Sequence, residues 1–231
     1  MQQLKVIYED NHIIVVEKPV NIPSQGDKTN DIDMLTIIKQ YLKEKYQKPG
    51  NVYLGLIHRL DRPVGGVMVF AKTSKAASRL SNQVREKQFE KTYLTIVNGK
   101  MEKDYATLED YLLKDEKNNK SKVVPEGTKD SKLAILDYEI LKYDETLDLS
   151  VLKVHLHTGR HHQIRVQFSS RNHSIYGEQK YEGRGHGKQI TLWAYELQIF
   201  HPITNEKLIF HSLPEINGSW KILEDIKELK N

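Results

Sequence analysis

Asp61 is the residue whose setting most directly suggests chemistry. It lies two residues after Arg59 and directly before Arg62, in a polar stretch between two apolar runs. Nearby positive charge lowers the pKa of a carboxyl group and keeps it ionised, and an ionised, positioned carboxylate can act as a nucleophile or a base. The alternative is an ordinary turn held by an ion pair. Loops on rigid strands often carry function, so both interpretations stay open.

The positive charge of the chain is concentrated in residues 153–189. This segment holds seven Lys or Arg residues and two acids, whereas the whole chain of 231 residues has a net charge of +4. Such segregation is typical of a protein that binds a polyanion on one face, and a solvated basic surface is the alternative. His155, His157, His161 and His162 have a spacing that zinc can use. No nearby acid completes such a site, and we predict no metal.

Hydrophobic periodicity indicates the elements that must position these residues. Runs at 4–8 and 12–17 predict a β-hairpin, and apolar steps of three and four after Asp33 predict a helix over 33–46. Ser74 is expected to cap a second helix, with Ala77, Leu80 and Val84 on its inner face. Further strands are predicted at 52–57, 67–71, 93–97, 106–112, 133–141, 147–157, 192–200 and 208–210, with an exposed connection over 114–131 and a closing helix over 219–229.

The order of these elements predicts the fold class. Many strands without regular βαβ alternation indicate an α+β fold, built on a mostly antiparallel mixed sheet with flanking helices. The length fits one large domain, and we expect residues 1–231 to form a single domain. Cysteine is absent, which excludes disulfides, thiol nucleophiles and thiolate zinc sites. The chain also lacks an apolar run of about 18 residues and a signal peptide at its start, so we expect a soluble, cytoplasmic protein with no membrane partner.

Several segments together resemble the RluA-type pseudouridine synthases. The His-Arg-Leu-Asp element at 58–61 and the apolar strand after it match the signature of that family, and the Thr-Gly-Arg-His-His-Gln-Ile-Arg-Val segment at 158–166 matches its arginine motif. Supporting matches lie at 8–19, 91–94, 176–178 and 194–202. The resemblance covers about residues 4–214 and implies the pseudouridine synthase catalytic fold, in a member without an N-terminal RNA-binding domain.

The resemblance implies an isomerase and assigns roles to three residues. The family reaction breaks the bond from ribose to uracil nitrogen, turns the base and rejoins it through carbon 5, so no cofactor is expected. Asp61 is the expected catalytic carboxylate, acting either as a nucleophile on the ribose or as a base toward a glycal intermediate. Arg165 is expected to pair with Asp61, with a phosphate contact as the alternative. Tyr93 is expected to lie against the target base, with an ordinary core tyrosine as the alternative.

The implied partner is structured RNA, either ribosomal or transfer RNA, with no obligate protein partner and a monomeric enzyme. A uridine buried in a stack must flip out before a side chain can reach its ribose. Arg59 is expected to hold the vacated space, or else to form a structural ion pair. The other residues expected to contact RNA are Arg62, Arg160, His162, Gln163, Arg171 and Lys180.

Two other functions fit parts of the sequence. Val64-Gly65-Gly66 stands where the family often has Thr-Ser-Gly, and this loop together with the basic face motivates a non-catalytic RNA chaperone. The presence of Asp61, Tyr93 and Arg165 argues against that reading. A carboxylate-dependent glycosidase would need a second acid at a defined separation, and Asp61 has no acidic neighbour in its motif.

Overall fold

The computed structural model describes residues 4–181 and 188–229. The strands are β1 (Lys5–Glu9), β2 (Ile13–Lys18), β3 (Gly55–Leu56), β4 (Gly65–Ala71), β5 (Glu90–Asn98), β6 (Tyr105–Asp115), β7 (Lys120–Val124), β8 (Lys132–Asp144), β9 (Leu149–Leu156), β10 (Leu192–Phe200) and β11 (Lys207–His211). The helices are α1 (Met34–Lys45), α2 (Ser74–Arg85) and α3 (Gln163–Ser169), followed by two 3₁₀ segments, Gly218–Leu223 and Lys227–Leu229. The predicted α+β class is confirmed.

The chain divides into two compact units. The first contains Met1–Lys91 and Ala194–Leu213, and the second contains Thr92–Trp193 and Pro214–Asn231. In the first unit the strands follow the order β1-β2-β4-β10, with β3 beside β4 and β11 beside β10. In the second unit the order is β5-β9-β8-β6-β7. Each strand pair whose register is described is antiparallel, as the sequence predicts.

The core of the first unit is built on β2 and β4. These strands pair from Ile13 opposite Ala71 to Lys18 opposite Gly66, and all seven residues of β4 are buried. Helix α1 begins after Asp33, whose Oδ1 accepts a hydrogen bond from the N–H of Thr36 at 3.0 Å. Asp33 thereby caps the N-terminus of the predicted helix. The paired strands fix the point from which the loop that carries Asp61 leaves the sheet.

Two details of the first unit differ from the prediction. Thr73, not Ser74, caps α2, because its hydroxyl accepts from the N–H of Ala76 at 3.1 Å. Val84 is exposed, whereas its neighbour Gln83 is buried and bonds to both backbone groups of Phe200. The buried face of α2 is therefore rotated by one residue from the apolar pattern. The predicted strand at 52–57 is reduced to Gly55–Leu56.

The second unit contains elements that the sequence did not indicate. The predicted exposed connection over 114–131 was wrong, because β7 lies within it and pairs with β6 from Val124 opposite Tyr111 to Lys120 opposite Asp115. Helix α3 follows β9, where no helix was predicted. The predicted closing helix consists of two 3₁₀ segments. None of the helices in the described ranges is long and apolar enough to span a membrane.

Candidate active site

The backbone on both sides of Asp61 is anchored by buried residues of the first unit. The hydroxyl of Ser24 donates to the carbonyl of Leu60 at 2.9 Å and accepts from the Leu60 N–H at 3.1 Å. The N–H of Val64 donates to the carbonyl of Asp61 at 3.0 Å and closes a turn. Leu60 and Val64 are buried, while Asp61 itself is half-buried. The loop therefore holds a partly accessible carboxylate on a fixed backbone.

A buried lysine, Lys18, forms hydrogen bonds to the backbone of this loop and of the residue that follows β2. The ammonium of Lys18 donates to the carbonyl of Arg62 at 3.0 Å and to that of Pro19 at 2.9 Å, and the residue has no exposed surface. Burial lowers the pKa of Lys18 to about 7, although the negative charge of Asp61 acts in the opposite direction. The charge on Lys18 therefore titrates near neutral pH beside the candidate carboxylate. Sequence reasoning did not single out Lys18, because lysine is seldom fully buried.

The two arginines that flank Asp61 have different environments. Arg59 is exposed, as a residue that contacts RNA must be. The guanidinium of Arg62 instead binds side chains of its own unit: Nη1 lies 2.6 Å from Asp31 Oδ2, and Nη2 lies 3.1 Å from Asp27 Oδ2. Sequence reasoning did not anticipate these partners, because they lie more than 30 residues away along the chain.

His58 has a structural position in the same motif. Its Nε2 accepts from the backbone N–H of Val69 at 3.2 Å, and its ring packs edge-on against Phe89 with the ring centroids 5.0 Å apart. Burial lowers the pKa of His58 to about 3, and the charge of Lys91 contributes in the same direction. His58 is therefore neutral at physiological pH and fixes the start of the loop against β4.

The arginine motif of the second unit forms the unpredicted helix α3. Arg165 is buried there and pairs with Glu178 through two bonds, Nε to Oε2 and Nη2 to Oε1, both 2.7 Å long. Burial by itself raises the pKa of Glu178, but the hydrogen bonds from Arg165 outweigh it, so the pKa is lowered. A planar guanidinium held by both oxygens of a carboxylate has a fixed orientation. Glu178 is a site residue whose role the sequence did not indicate.

The aromatic ring of Tyr181 also contacts the guanidinium of Arg165. The guanidinium of Arg165 lies 5.6 Å from the centroid of the Tyr181 ring. The hydroxyl of Tyr181 accepts from the backbone N–H of Ser121 at 2.9 Å and lies 2.7 Å from Nδ1 of His162. Tyr181 therefore links strand β7, which is formed by its pairing with β6, to the arginine motif.

Two of the residues predicted to bind RNA lie in the interior. Gln163 is 3% exposed, and its side-chain oxygen accepts from the hydroxyl of Thr158 at 2.7 Å and from the N–H of Arg160 at 3.0 Å. His162 is 8% exposed. Burial, followed by the charge of Arg165, lowers the pKa of His162 to about 2. Both side chains therefore lie in the turn that leads into α3, and their contact with RNA stays a prediction.

The remaining predicted RNA-binding residues lie at the surface of the second unit. Arg160 is exposed and donates through Nε to the carbonyl of Leu133 at 2.8 Å. Arg171 pairs with Asp110 at 2.9 Å, and Lys180 donates to the carbonyl of Asn119 at 2.9 Å. Arg184 and His186, with the glycines around them, lie outside the described residues. Tyr93 is buried in β5 opposite Val154 of β9.

The four clustered histidines form two separate pairs. The rings of His155 and His157 meet edge to face at 5.0 Å, and those of His161 and His162 stack at 3.8 Å. His157 also lies 2.6 Å from a carboxylate oxygen of Asp137. Across residues 4–181 and 188–229, no group of three or more histidine or acidic side chains is arranged to hold a metal ion.

Comparisons with known proteins identify the same family that the sequence motifs resemble. The family model described as RNA pseudouridylate synthase matches residues 12–170. The chain is 33% identical to an uncharacterised RNA pseudouridine synthase of Aquifex aeolicus, over 90% of this chain and 68% of that protein. It is 28% identical to tRNA pseudouridine synthase C of Vibrio parahaemolyticus, over 96% of this chain and 94% of that protein. Other relatives are named as ribosomal large subunit pseudouridine synthases.

A solved structure shares the fold. Human RNA pseudouridylate synthase domain containing 4 superimposes with a TM-score of 0.77 at 20% identity, covering 92% of this chain and 89% of that one. The predicted pseudouridine synthase catalytic fold is thereby confirmed. The family model matches well over half of the chain, and a relative at 33% identity aligns along most of it. The chain therefore belongs to the RNA pseudouridylate synthase family and is an isomerase that acts on RNA.

Proposed function

We propose that this protein converts one or a few uridines in structured ribosomal or transfer RNA to pseudouridine, with Asp61 as the catalytic carboxylate and without a cofactor. The observation that carries this proposal is the loop of the first unit, in which Ser24, Leu60 and Val64 fix the backbone around a half-buried Asp61. A fixed, accessible carboxylate is the group that attack on a ribose, or proton removal from a glycal intermediate, requires.

Tyr93 and Arg165 are proposed to act together with Asp61. Arg165 is held in one orientation by Glu178, so its charge can stabilise a carboxylate without moving. Tyr93 supplies an aromatic face for the base and a hydroxyl for proton transfer. Asp61 belongs to the first unit, whereas Tyr93 and Arg165 belong to the second. We propose that residues 1–231 act as one catalytic domain, because the resemblance to the family covers segments of both units.

The proposed RNA-binding residues are the surface cations. Arg59 is proposed to hold the space of the flipped base, while Arg62, Arg160, Arg171 and Lys180 are proposed to bind phosphates. His162 and Gln163 are also proposed to contribute to RNA binding, and the side chain of Gln163 in addition fixes the turn that presents Arg160. Relatives named for ribosomal and for transfer RNA support a structured RNA substrate. We further propose that the enzyme is cytoplasmic and works as a monomer without an obligate protein partner.

The direct test replaces Asp61 with Asn, which keeps the size of the side chain and removes its charge. Pseudouridines are mapped in total RNA from a strain that lacks this gene and is complemented with wild-type protein, with Asp61→Asn or with Asp104→Asn. Asp104 is an exposed carboxylate of the second unit and serves as the matched control. We expect wild type and Asp104→Asn to restore the same sites and Asp61→Asn to restore none. Normal modification by Asp61→Asn would remove Asp61 from the mechanism.

Two product assays separate this function from the alternatives considered above. An RNA chaperone would bind the same RNA with no change in its nucleoside content. A glycosidase would release free uracil, which chromatography of the small-molecule fraction detects. The isomerase leaves the mass of the RNA unchanged and releases no base, because the bond that breaks at nitrogen is replaced by a bond to carbon 5 of the same ring.

A further inference from the structure

Arg62 holds three side chains of one exposed segment. Its Nη1 donates to Asp31 Oδ2 at 2.6 Å, and its Nη2 donates to Asp27 Oδ2 at 3.1 Å and to the hydroxyl oxygen of Thr29 at 2.5 Å. These partners lie within residues 25–32, which are all exposed and which we call the acidic arc. One guanidinium therefore meets two carboxylates. The two carboxylates exceed the charge of the guanidinium by one, and the ammonium of Lys28, within the same segment, offsets that excess.

Buried residues fix both ends of the acidic arc, and hydrogen bonds of the Thr29 hydroxyl fix its middle. Before the arc, the carbonyl of Pro23 accepts from the N–H of Met34 at 2.9 Å. After it, Asp33 caps α1. The Thr29 hydroxyl lies 2.6 Å from a carboxylate oxygen of Asp27 and 2.9 Å from one of Asp31. The arc thus presents its carboxylates to Arg62 in a defined arrangement without being packed into the core.

The contact between Arg62 and the arc is of a kind that a phosphate can replace. The side chains of Arg62, Asp27 and Asp31 are 34%, 43% and 56% exposed. Ion pairs at such exposure contribute little to stability and weaken further with salt. A phosphodiester offers a guanidinium the same two-oxygen geometry as a carboxylate. Because the two carboxylates repel an RNA backbone, a phosphate that reaches Arg62 must displace them.

We propose that Arg62 is a phosphate-binding subsite that the acidic arc occupies in the free protein, and that a phosphodiester of the substrate RNA replaces Asp27 and Asp31 on the guanidinium. This inference rests on the proposed function, since it takes RNA as the substrate. The arc then acts as an internal competitor. It lowers the affinity for any RNA and favours those RNAs whose backbone approaches Arg62 closely enough to displace it.

The test is the double variant Asp27→Asn/Asp31→Asn, with binding measured to bulk tRNA and, separately, to ribosomal RNA from a strain that lacks the gene. Dissociation constants are determined between 50 and 200 mM salt. Most of the RNA in these bulk preparations should not displace the arc from wild type, so Arg62 of wild type makes no phosphate contact there. We therefore expect the double variant to bind this RNA more tightly at low salt, with a log–log salt slope that is steeper by about 0.7–0.9, the value for the one phosphate contact that wild type lacks. The advantage of the variant should therefore shrink about threefold across this salt range. Melting temperatures verify that each variant is folded.

Two further variants separate a freed Arg62 from a general change in charge. Glu44→Gln/Glu86→Gln removes the same charge from exposed carboxylates at the ends of α1 and α2, and should leave the slope unchanged. Adding Arg62→Ala to the Asp27→Asn/Asp31→Asn variant should return the slope to the wild-type value. The subsite is overturned by an unchanged slope in the double variant, by an equal gain in the glutamate control, or by a gain that survives the loss of Arg62.

Isomerisation by the wild-type enzyme is measured on the same RNA preparations. If wild type forms no pseudouridine in any of them, the proposed function is wrong, whatever the binding results show. If wild type forms pseudouridine and the salt slope of the Asp27→Asn/Asp31→Asn variant equals that of wild type, the subsite alone is wrong. The two failures therefore have different signatures.

Discussion

Gly66 lies where the backbone of the first unit leaves no space for a side chain. It is the second residue of β4, directly after the loop that carries Asp61, and its φ is +120°. A Cβ added there would lie 2.2 Å from the carbonyl oxygen of Ala194 and 2.6 Å from its nitrogen. Both atoms belong to the backbone, so no side-chain rotation relieves the clash. The Gly66→Ala variant must therefore move β4 away from β10 or distort the loop.

The expected cost of Gly66→Ala has two parts. Holding a non-glycine residue in this sparsely populated backbone region costs about 1–3 kcal/mol, and forcing an extra carbon into a packed position costs about 1–3 kcal/mol more. We therefore expect the free energy of unfolding to fall by about 2–6 kcal/mol, out of a total of about 5–15 kcal/mol for a typical domain. Activity should fall as well, since the change lies at the base of the Asp61 loop.

Two other glycines provide controls that separate the cost of the backbone conformation from the cost of the steric clash. Gly127 has a φ of +80° but nothing within 4 Å of an added Cβ, so Gly127→Ala should cost only the backbone part, about 1–2 kcal/mol. Gly50 is open as well and lacks a positive φ, so Gly50→Ala should be neutral or stabilising by up to about 1 kcal/mol. Urea unfolding followed by far-UV circular dichroism, which reports on the strands and helices of both units, gives all three values. If Gly66→Ala costs no more than Gly127→Ala, the steric argument is wrong.

Two further predictions concern buried charges. Glu178→Gln removes a carboxylate that pairs with buried Arg165, and should lower the free energy of unfolding by about 3–5 kcal/mol, whereas Glu145→Gln at an exposed position should change it little in the same urea titration. Lys18 has a folded pKa of about 7 against an ordinary value of 10.5, so between these pH values the unfolded chain binds the extra proton and stability rises with pH. Urea titrations at pH 7, 8 and 9 should show that the free energy of unfolding rises with pH more steeply for wild type than for Lys18→Met, by up to about 1.4 kcal/mol per pH unit. Equal pH dependence in the two proteins would contradict the lowered pKa of Lys18.

The elements that the sequence predicted correctly are those with local signals. The first hairpin has apolar runs on both sides of a polar turn, and its two strands pair as expected. Helix α1 has an aspartate cap followed by apolar residues at steps of three and four, and its observed bounds lie within one residue of the prediction. In both cases the pattern that defines the element lies within the element itself, so no knowledge of distant contacts is needed.

The elements that were missed have weak or misleading local signals. Helix α3 has only seven residues, too few for a periodic pattern, and His162, which precedes it, has a left-handed backbone and makes no side-chain cap. Its buried face includes Arg165 and Gln167, which an apolar pattern cannot reveal. Strand β7 has two exposed lysines and one buried serine. Lysine is common on edge strands, where it opposes aggregation, but in a sequence it resembles a loop.

The candidate site was predictable in its motifs but not in its contacts. The stretch around Asp61 and the arginine motif are visible in the chain, and the family comparisons match them. The partners of Arg62 and the support given by Tyr181 and Ser121 come from segments distant in sequence. Such pairings follow from the fold, because a charged residue alone does not specify which opposite charge it will meet.

Lys18 and Arg165, both buried within the part of the chain that the structure describes, show how residue type determines the partner that burial requires. Arginine keeps its charge in any protein environment, so buried Arg165 needs an anion, and Glu178 supplies both carboxylate oxygens. Lysine can lose its proton, so Lys18 can be buried against backbone carbonyls, with its pKa lowered to about 7. A pH change near neutrality therefore alters the charge on Lys18, beneath the Asp61 loop, and leaves the charge on Arg165 unchanged. If a pH change near 7 alters the activity of this enzyme through a buried cation, we accordingly expect that cation to be Lys18.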